Sequence, residues 1–554
     1  MIILKGLGVS EGIAFGKLLV NELSEEKIEK HEITDIDAEI NRYKKAENST
    51  LEYKRMLYKK TCETLGEEEA LIFKSHEMMI QDNDYRNSII SIITEEKSNA
   101  EYAVQKTSEK FSNFFSEMPD PYMKERAMDI IDISKCILSS LMGNDIQKDA
   151  YSLNGDIILS AQDFTPSEIS SADKNKIKGF LCSEGSTYSH TSILLRVMKI
   201  PGIVCLKEQL DKNYNGKNII IDGSSGEVYI DPDDSTVEFF KNKQSERNKN
   251  NELLKNLIGK ENITLDGQKI KLYANINNPS EIDDILENDS EGIGLLRSEF
   301  IYLGRENPPS EEEQFQIYRN ILERMSGKKV IIRTLDIGSD KRVDYLGLPF
   351  EHNPAMGYRG IRLCLDQPEI FKTQLRAIYR ASVYGNVSLM FPMITSVSEI
   401  KEIKKYIDVV KKELSQENIK FSDNIEIGIM IETPSAVVIS DILAKEVDFF
   451  SIGTNDLTQY TLAVDRQNSK VNTIFDTHHK SILRMIKIVV DNAHKNNIWA
   501  GICGESAADE SLIETYLSIG VDELSMSAPY ILKIRKKILE TDVSKIKNNI
   551  LKNL

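Results

Sequence analysis

Residues 425–434 read IEIGIMIETP, and residues 447–456 read VDFFSIGTND. Each is a short apolar run that stops on polar residues, Glu432 in the first and Asn455 with Asp456 in the second. Such runs suit strands buried on both faces. The form recurs at IKLYANI (270–276), GIGLLRSEF (292–300), KVIIRTLDIG (329–338), VSLMFPMI (387–394), WAGICGES (499–506) and ELSMSAP (523–529). Amphipathic helical stretches separate most of them. Eight strands alternating with helices predict a (β/α)8 TIM barrel over residues 262–554, and a helical solenoid would not supply these apolar strands.

In such barrels the chemistry sits where strands end and loops begin. Those ends carry Asn275, Arg297 with Glu299, Arg333 with Asp336, Glu432, Asn455 with Asp456, and Cys503 with Glu505. Taken singly, each is as readily a solvated loop charge. As a set they are harder to explain, because a scaffold has little reason to gather arginines and carboxylates at one rim. A guanidinium offers paired donors to phosphate oxygens and stays charged. Arg297, Arg333 and Arg466 of LAVDRQNSK (462–470) could together neutralise a substrate bearing phosphate and carboxylate. Glu432 and Asp456 end neighbouring strands, so their carboxylates could converge on Mg²⁺, with substrate oxygens and water completing its shell. Salt bridges among these groups are the structural alternative, but they leave a costly buried network without a purpose. Cys503 is an apolar filler by default; at a strand end it becomes a candidate proton donor.

The rest of the chain predicts a multidomain α/β protein. Strand-like runs occupy residues 1–21 and 145–231, and long charged helices with almost no glycine fill 22–144 between them. Residues 232–261 are polar and helical, a connecting helix able to act as a hinge. In SEGSTYSHTSILLRVMKIPGIV (183–204), His190 stands among hydroxyl residues ahead of an apolar run, and Pro201–Gly202 reads as the end of that helix. It is either a capping or surface histidine or a nucleophile that carries an anion. A positive helix end would keep the imidazole neutral and would favour a phosphoryl group attached to it, with the hydroxyls of Thr187 and Ser189 at hand.

A formal charge of −17 with no basic stripe argues against a nucleic-acid surface. The six scattered cysteines, with no CxxC pair, suit reduced thiols in a cytoplasm. No apolar run reaches the length of a membrane span. Glu11 and the glycines break any signal-peptide core in the first twenty residues.

The motifs GLGVSEGIAFGK, DFTPSE, SHTS, GIGLLRSEFIYLGR, IIRTLDIGSDK, NPAMGYRGIR, FPMITSV, IETPSA, SIGTNDLTQYTLAVDR, GICGESA and DELSMS run through essentially the whole chain. Together they resemble enzyme I of the phosphoenolpyruvate-dependent sugar phosphotransferase system. SHTS and the barrel motifs alone are shared with pyruvate phosphate dikinase and phosphoenolpyruvate synthase. The helical insertion and the lack of an ATP-binding domain set enzyme I apart. The resemblance implies that phosphoenolpyruvate phosphorylates His190 through Nε2, giving pyruvate, and that the phosphoryl group then passes to the carrier protein HPr. It implies Arg297, Arg333, Asn455 and Arg466 for the substrate, Glu432 and Asp456 for Mg²⁺, and Cys503 for protonating the enolate. It further implies a homodimer through the barrel and an HPr-docking surface on the helical insertion. No N-terminal sensory domain precedes the first strand, which favours the sugar branch over the nitrogen branch.

One departure stands beside His190: Tyr188 replaces the usual threonine two places before it. A catalytically impaired regulatory or docking paralogue of the same fold is therefore the alternative reading. A barrel lyase or aldolase is a third, but it has no use for His190. Within EEEALIFKSHEMMIQDNDY (67–85), the apolar Leu71, Ile72, Phe73, Met78 and Met79 beside Glu67, Glu68, Glu69 and Asp82 read alone as bundle core with a solvated acidic face. His76 reads there as a surface histidine or docking contact.

Overall fold

A computed structural model describes residues 1–21, 28–64, 67–118, 121–143, 155–173, 175–185, 189–206, 208, 210–303, 305–339, 341, 343–466, 468 and 471–554. Ser186, Thr187 and Tyr188 lie outside the described residues, as do the side chains of His190, Glu67, Glu68 and Glu69. The chain forms two compact units, Met1–Asn248 and Lys249–Leu554.

The first unit holds eight strands: β1 (Ile2–Lys5), β2 (Leu7–Ser10), β3 (Ile13–Val20), β4 (Ile157–Ala161), β5 (Ile177–Cys182), β6 (Gly202–Val204), β7 (Asn218–Asp222) and β8 (Glu227–Ile230). They form one sheet in the order β1-β8-β7-β3-β4-β5-β6-β2. β3 and β4 pair in parallel although more than a hundred residues separate them, Lys17 facing Ile157 and Val20 facing Ser160. Five helices fill that gap: α1 (Ile36–Thr64), α2 (Glu67–Gln81), α3 (Asn83–Glu95), α4 (Ala100–Ser116) and α5 (Pro121–Leu141). Their glycine-poor sequences carry apolar residues at helical spacing, and Tyr43, Leu51, Ile80, Tyr85, Ile89, Ile93, Val104, Ile133 and Ile137 pack as one core.

A buried polar cluster ties this bundle to the helix α6 (Pro166–Ser171) of the α/β domain. Lys54 Nζ lies 3.0 Å from Asp132 Oδ1 and donates to Ser167 Oγ at 2.7 Å, while the Ser167 backbone N–H donates to Asp132 Oδ2 at 3.1 Å. His76 belongs to the same cluster, with Nε2 3.2 Å from Asp129 Oδ1. It is fully buried, which corrects its reading as a surface or docking histidine. The helical period explains this: His76 is three residues from Phe73 and four from Ile80, both core residues, so all three share the inward face of α2.

The helix α7 (His190–Val197) starts at an N-cap, Ser189, whose hydroxyl accepts from the Ser192 backbone N–H. Thr191 Oγ1 donates to the Phe164 carbonyl at 2.7 Å, anchoring the first turn. The helix stops before Pro201–Gly202. Lys199 takes a left-handed conformation (φ 54°), its N–H and that of Ile200 return to Arg196 and Leu195, and Gly202 already opens β6. The stop is thus a left-handed turn, while the Pro-Gly pair begins the next strand.

α8 (Asp234–Lys255) spans the junction of the units. The second unit contains β9 (Lys271–Ile276), β10 (Gly292–Arg297), β11 (Lys329–Arg333), β12 (Asn386–Phe391), β13 (Glu426–Ile431), β14 (Phe449–Ile452), β15 (Trp499–Ile502) and β16 (Glu523–Met526). They close into a barrel, β9 joining β10 and β16, with every pairing parallel. Tyr273, Leu295, Ile331, Met390, Met430, Phe449 and Cys503 fill the interior, and a larger apolar core lies between strands and helices. Among the described residues, no helix is long and apolar enough to cross a membrane.

Replacing Lys54 by Met should leave Asp132 buried without its cation, at a cost of about 3–5 kcal/mol. Denaturant unfolding should show this loss in the first unit's transition, with the barrel's transition unmoved.

Candidate active site at the barrel rim

Strand alternation builds the site. Side chains two apart share a face, so each interior apolar residue points to the polar one above it: Tyr273 to Asn275, Leu295 to Arg297, Ile331 to Arg333, and Met430 to Glu432. The sheet that excludes water below thus delivers cations and carboxylates to one rim above.

Arg333 is buried and lies between two carboxylates, with Nη2 donating to Glu299 Oε1 at 2.9 Å and Nη1 lying 3.0 Å from Asp336 Oδ2. Glu299 Oε1 also accepts the Asp336 backbone N–H at 3.0 Å. Arg359 makes a paired contact to the same aspartate, Nε to Oδ1 at 3.0 Å and Nη2 to Oδ2 at 2.7 Å. Burial opposes the charge on Asp336, but Arg333 and Arg359 outweigh it and hold its carboxyl well below the usual range. Burial likewise opposes the charges of Arg333 and Arg359, and the surrounding carboxylates overcome it.

Arg297 has a different balance. It donates to the Asn277 side-chain oxygen at 2.8 Å, and among the described residues it has no carboxylate partner. Burial lowers its pKa, and the charges of Arg333 and Arg466 lower it further, against Glu299 and Cys503. Arg466 is exposed in the turn after the left-handed Ala463, its N–H donating to Gln459 Oε1 at 3.2 Å. The three arginines therefore act on one region of the rim.

Carboxylates stand on the same rim. Glu432 is fully buried; Oε1 accepts the Met393 backbone N–H at 2.6 Å, while Oε2 has no partner among the described residues. Burial, then Asp456 and Asp336, push its pKa up to about 8, with Arg333 and Arg359 acting against them. Asn455 and Asp456 sit in the first turn of the helix Thr454–Leu462, and Asn455 Oδ1 is buried without a partner among the described residues. An orphaned carboxylate oxygen and a second carboxylate within repelling distance fit a small divalent cation. Among the described residues, no three His, Cys, Asp or Glu side chains form a complete metal shell, so a cation there would draw its other ligands from substrate and water.

Cys503 is buried just past the end of β15. Burial pushes its thiol up to about 12, so it carries its proton at neutral pH. Asn275 Nδ2 donates to the Cys503 and Ser525 carbonyls at 3.2 and 3.1 Å. Asn275 thus braces this wall, while Glu505 is exposed. Strand-end reading missed Arg359, which sits in the loop long after β11. Its only sequence signal is the NPAMGYRGIR motif.

Three family models match the chain. They are described as PEP-utilising enzyme, N-terminal (residues 5–126), mobile domain (153–226) and PEP-binding domain (251–543). Among curated relatives, the phosphoenolpyruvate-protein phosphotransferase of Priestia megaterium is 41% identical over 99% of this chain and 95% of its own. That of Bacillus subtilis is 42% identical over 97% and 94%, and that of Listeria monocytogenes 41% over 98% and 95%. Near-complete coverage in both directions, with all three domain types in order, places this chain in the phosphoenolpyruvate-protein phosphotransferase family.

Proposed function

We propose that the protein takes the phosphoryl group of phosphoenolpyruvate onto His190 and passes it to the small carrier HPr, as the first step of sugar uptake. The observation that carries this reading is Arg297. It is a half-buried cation whose charge is disfavoured by burial and by two neighbouring cations, on the same rim as Glu432, which burial, Asp456 and Asp336 push upward although Arg333 and Arg359 act against them. A substrate with phosphate and carboxylate, bound with Mg²⁺, would satisfy both at once. Arg297, Arg333 and Arg466, with Asn455, would bind the anion; Arg359 adds a fourth guanidinium held in place by Asp336. Glu432 and Asp456 would hold Mg²⁺, which supplies Lewis-acid charge neutralisation at the phosphoryl oxygens.

Phosphoryl transfer asks the protein mainly for alignment and charge stabilisation. The nucleophile would be a neutral His190 at the start of α7, where the helix end favours an uncharged ring before transfer and the phosphoryl anion after it. The Cys503 thiol would protonate the enolate carbon as pyruvate forms. His190 and the arginines belong to different compact units, so the reading requires a swing about α8 that carries His190 to the rim and back.

For the carrier, α2 offers Leu71 and Met78, 48% and 68% exposed and seven residues apart on one face, while Ile72 and Phe73 turn into the core. The expectation of a purely internal apolar set therefore holds for only part of that segment. An exposed apolar strip on an acidic protein suits a carrier with an apolar patch and basic rim. We also infer a homodimer joined through the barrel, and the free cysteines support a reducing, cytoplasmic setting.

Incubation with labelled phosphoenolpyruvate and Mg²⁺ should give an acid-labile, base-stable protein label that His190→Ala abolishes. No label on the native chain would favour the impaired paralogue. Arg297→Met should lower kcat/KM for phosphoenolpyruvate by about 10²–10³, measured by pyruvate release. Met78→Glu should raise KM for HPr about tenfold while leaving self-phosphorylation of His190 unchanged in a carrier-free assay.

A further inference from the structure

The two ends of α8 are held by different means, each within its own unit. At the first end Phe240 packs with Ile13 and Ile220, and Lys243 Nζ lies 2.6 Å from the buried carboxylate of Asp222. Gln244 Nε2 donates to the Ile13 carbonyl at 2.9 Å, and Arg247 Nη2 to Glu11 Oε2 at 2.8 Å. At the other end stands Arg535, 1% exposed on the helix Ile531–Glu540. Its Nε donates to Asn262 Oδ1 at 2.8 Å. Its Nη1 donates to the Leu257 carbonyl at 2.9 Å and to Asp289 Oδ2, and its Nη2 to the Asp289 carbonyl at 2.8 Å. Asp289 Oδ2 also accepts the Gly259 backbone N–H at 2.7 Å. Asn262 Nδ2 donates at 2.9 Å to Glu291 Oε2, which accepts the Leu272 backbone N–H of β9 at 3.1 Å. One guanidinium thus ties the turn after α8 to the strand starts of the barrel, at the end away from the rim. Between the two ends, residues 248–256 read NKNNELLKN. Their described side chains make no hydrogen bond or ion pair among the described residues, and all but Leu254 are exposed. A short, asparagine-rich stretch without packing is a weak helix, so bending falls there.

We propose that Arg535 is a positioning residue for phosphoryl transfer: it fixes the barrel-side foot of α8, so that the swing of His190 ends with the imidazole in line with the substrate phosphorus. This rests on the reading above, in which His190 travels to the rim, and adds what sets the end of that path. The lever makes the demand strict. A six-residue strand such as β9 is about 20 Å long, and the foot lies at the opposite end of the strands from the rim. An angular slack of about 10° at the foot moves a group about 20 Å away by about 3.5 Å, as much as the whole gap between reacting atoms in an aligned complex. A planar fork bonded to three separate residues resists such rotation, whereas the point charge of an ammonium lets its partners pivot. Asp289 completes the clamp: burial opposes its charge, but the Gly259 N–H and the Arg535 guanidinium outweigh it and hold its carboxyl below the usual range. Arg535 enters the reaction only through α8.

Arg535→Lys in the full chain keeps the charge and removes the fork. Steady-state pyruvate release with Mg²⁺ and saturating HPr should show kcat lowered about a hundredfold, with KM for phosphoenolpyruvate within about twofold of the native value. Reverse phosphorylation of His190 by phosphorylated HPr, which needs no visit to the rim, should also stay within about twofold. A role confined to barrel stability would leave the folded molecules with native kcat, and damage to the rim would raise KM. Either result would overturn the proposal, as would a reverse transfer slowed as much as the forward one. Should Arg535→Lys fail to fold, Asp289→Ala carries the same split and the same refuting outcomes. The native chain distinguishes the underlying reading: if phosphoenolpyruvate does not label His190 there, the swing and the clamp fall together. If it does and Arg535→Lys matches the native kcat, only the clamp falls.

Discussion

A half-buried guanidinium without a carboxylate in contact with it is costly, and among the described residues Arg297 is one. Its neighbours Arg333 and Arg466 make its charge costlier still. Arg333 and Arg359 differ, because Glu299 and Asp336 satisfy them and lock them in place. The rim therefore has one set of cations whose charge is balanced within the protein and one whose balance must come from outside. Partly burying a charge with no counter-ion in contact raises its cost, and an anion bound there would offset that cost.

The carboxylate side follows the same logic in reverse. Glu432 faces Asp456 and Asp336 with one oxygen unpartnered. Arg297 and Glu432 share one rim, so an anion and a cation entering together would relieve both. The closed barrel beneath keeps water from Glu432 and Arg333, so their charges are little screened. The apolar layer from Tyr273 to Phe449 is in this sense part of the binding site.

The first unit poses a different problem, which is holding a short helix that begins at His190. α7 is only eight residues long, too short to be stable alone. It depends on the Ser189 cap, on Thr191 bonded to Phe164, and on the left-handed stop at Lys199. The Phe164–Ser167 segment is in turn fixed to the bundle by Lys54 and Asp132. The helical insertion thus helps hold the element that bears His190, besides leaving Leu71 and Met78 exposed on α2.

Much of this could be read in the sequence because it depends on local periodicity. Apolar runs marked eight barrel strands, and the residue where each run stopped marked Arg297, Arg333, Glu432, Asn455, Asp456 and Cys503, since alternation along a strand is a short-range rule. Charged helices without glycine marked the insertion. Where long-range packing decides, the sequence was silent or misleading. Arg359 reaches the rim from a loop with no strand end beside it, and His76 turns inward because the face of α2 against α5 is fixed only when the bundle closes. Leu71 and Met78 are as apolar as Phe73, yet they are left outside. Arg535 looks like one more base of KIRKK (533–537) until Asn262 and Asp289, distant in the chain, draw it inside. Local pattern chose the elements and named most of the polar groups at their ends; closing the barrel and the bundle decided which charges are balanced from within and which wait for a ligand, because burial and Coulomb forces act between residues far apart in sequence.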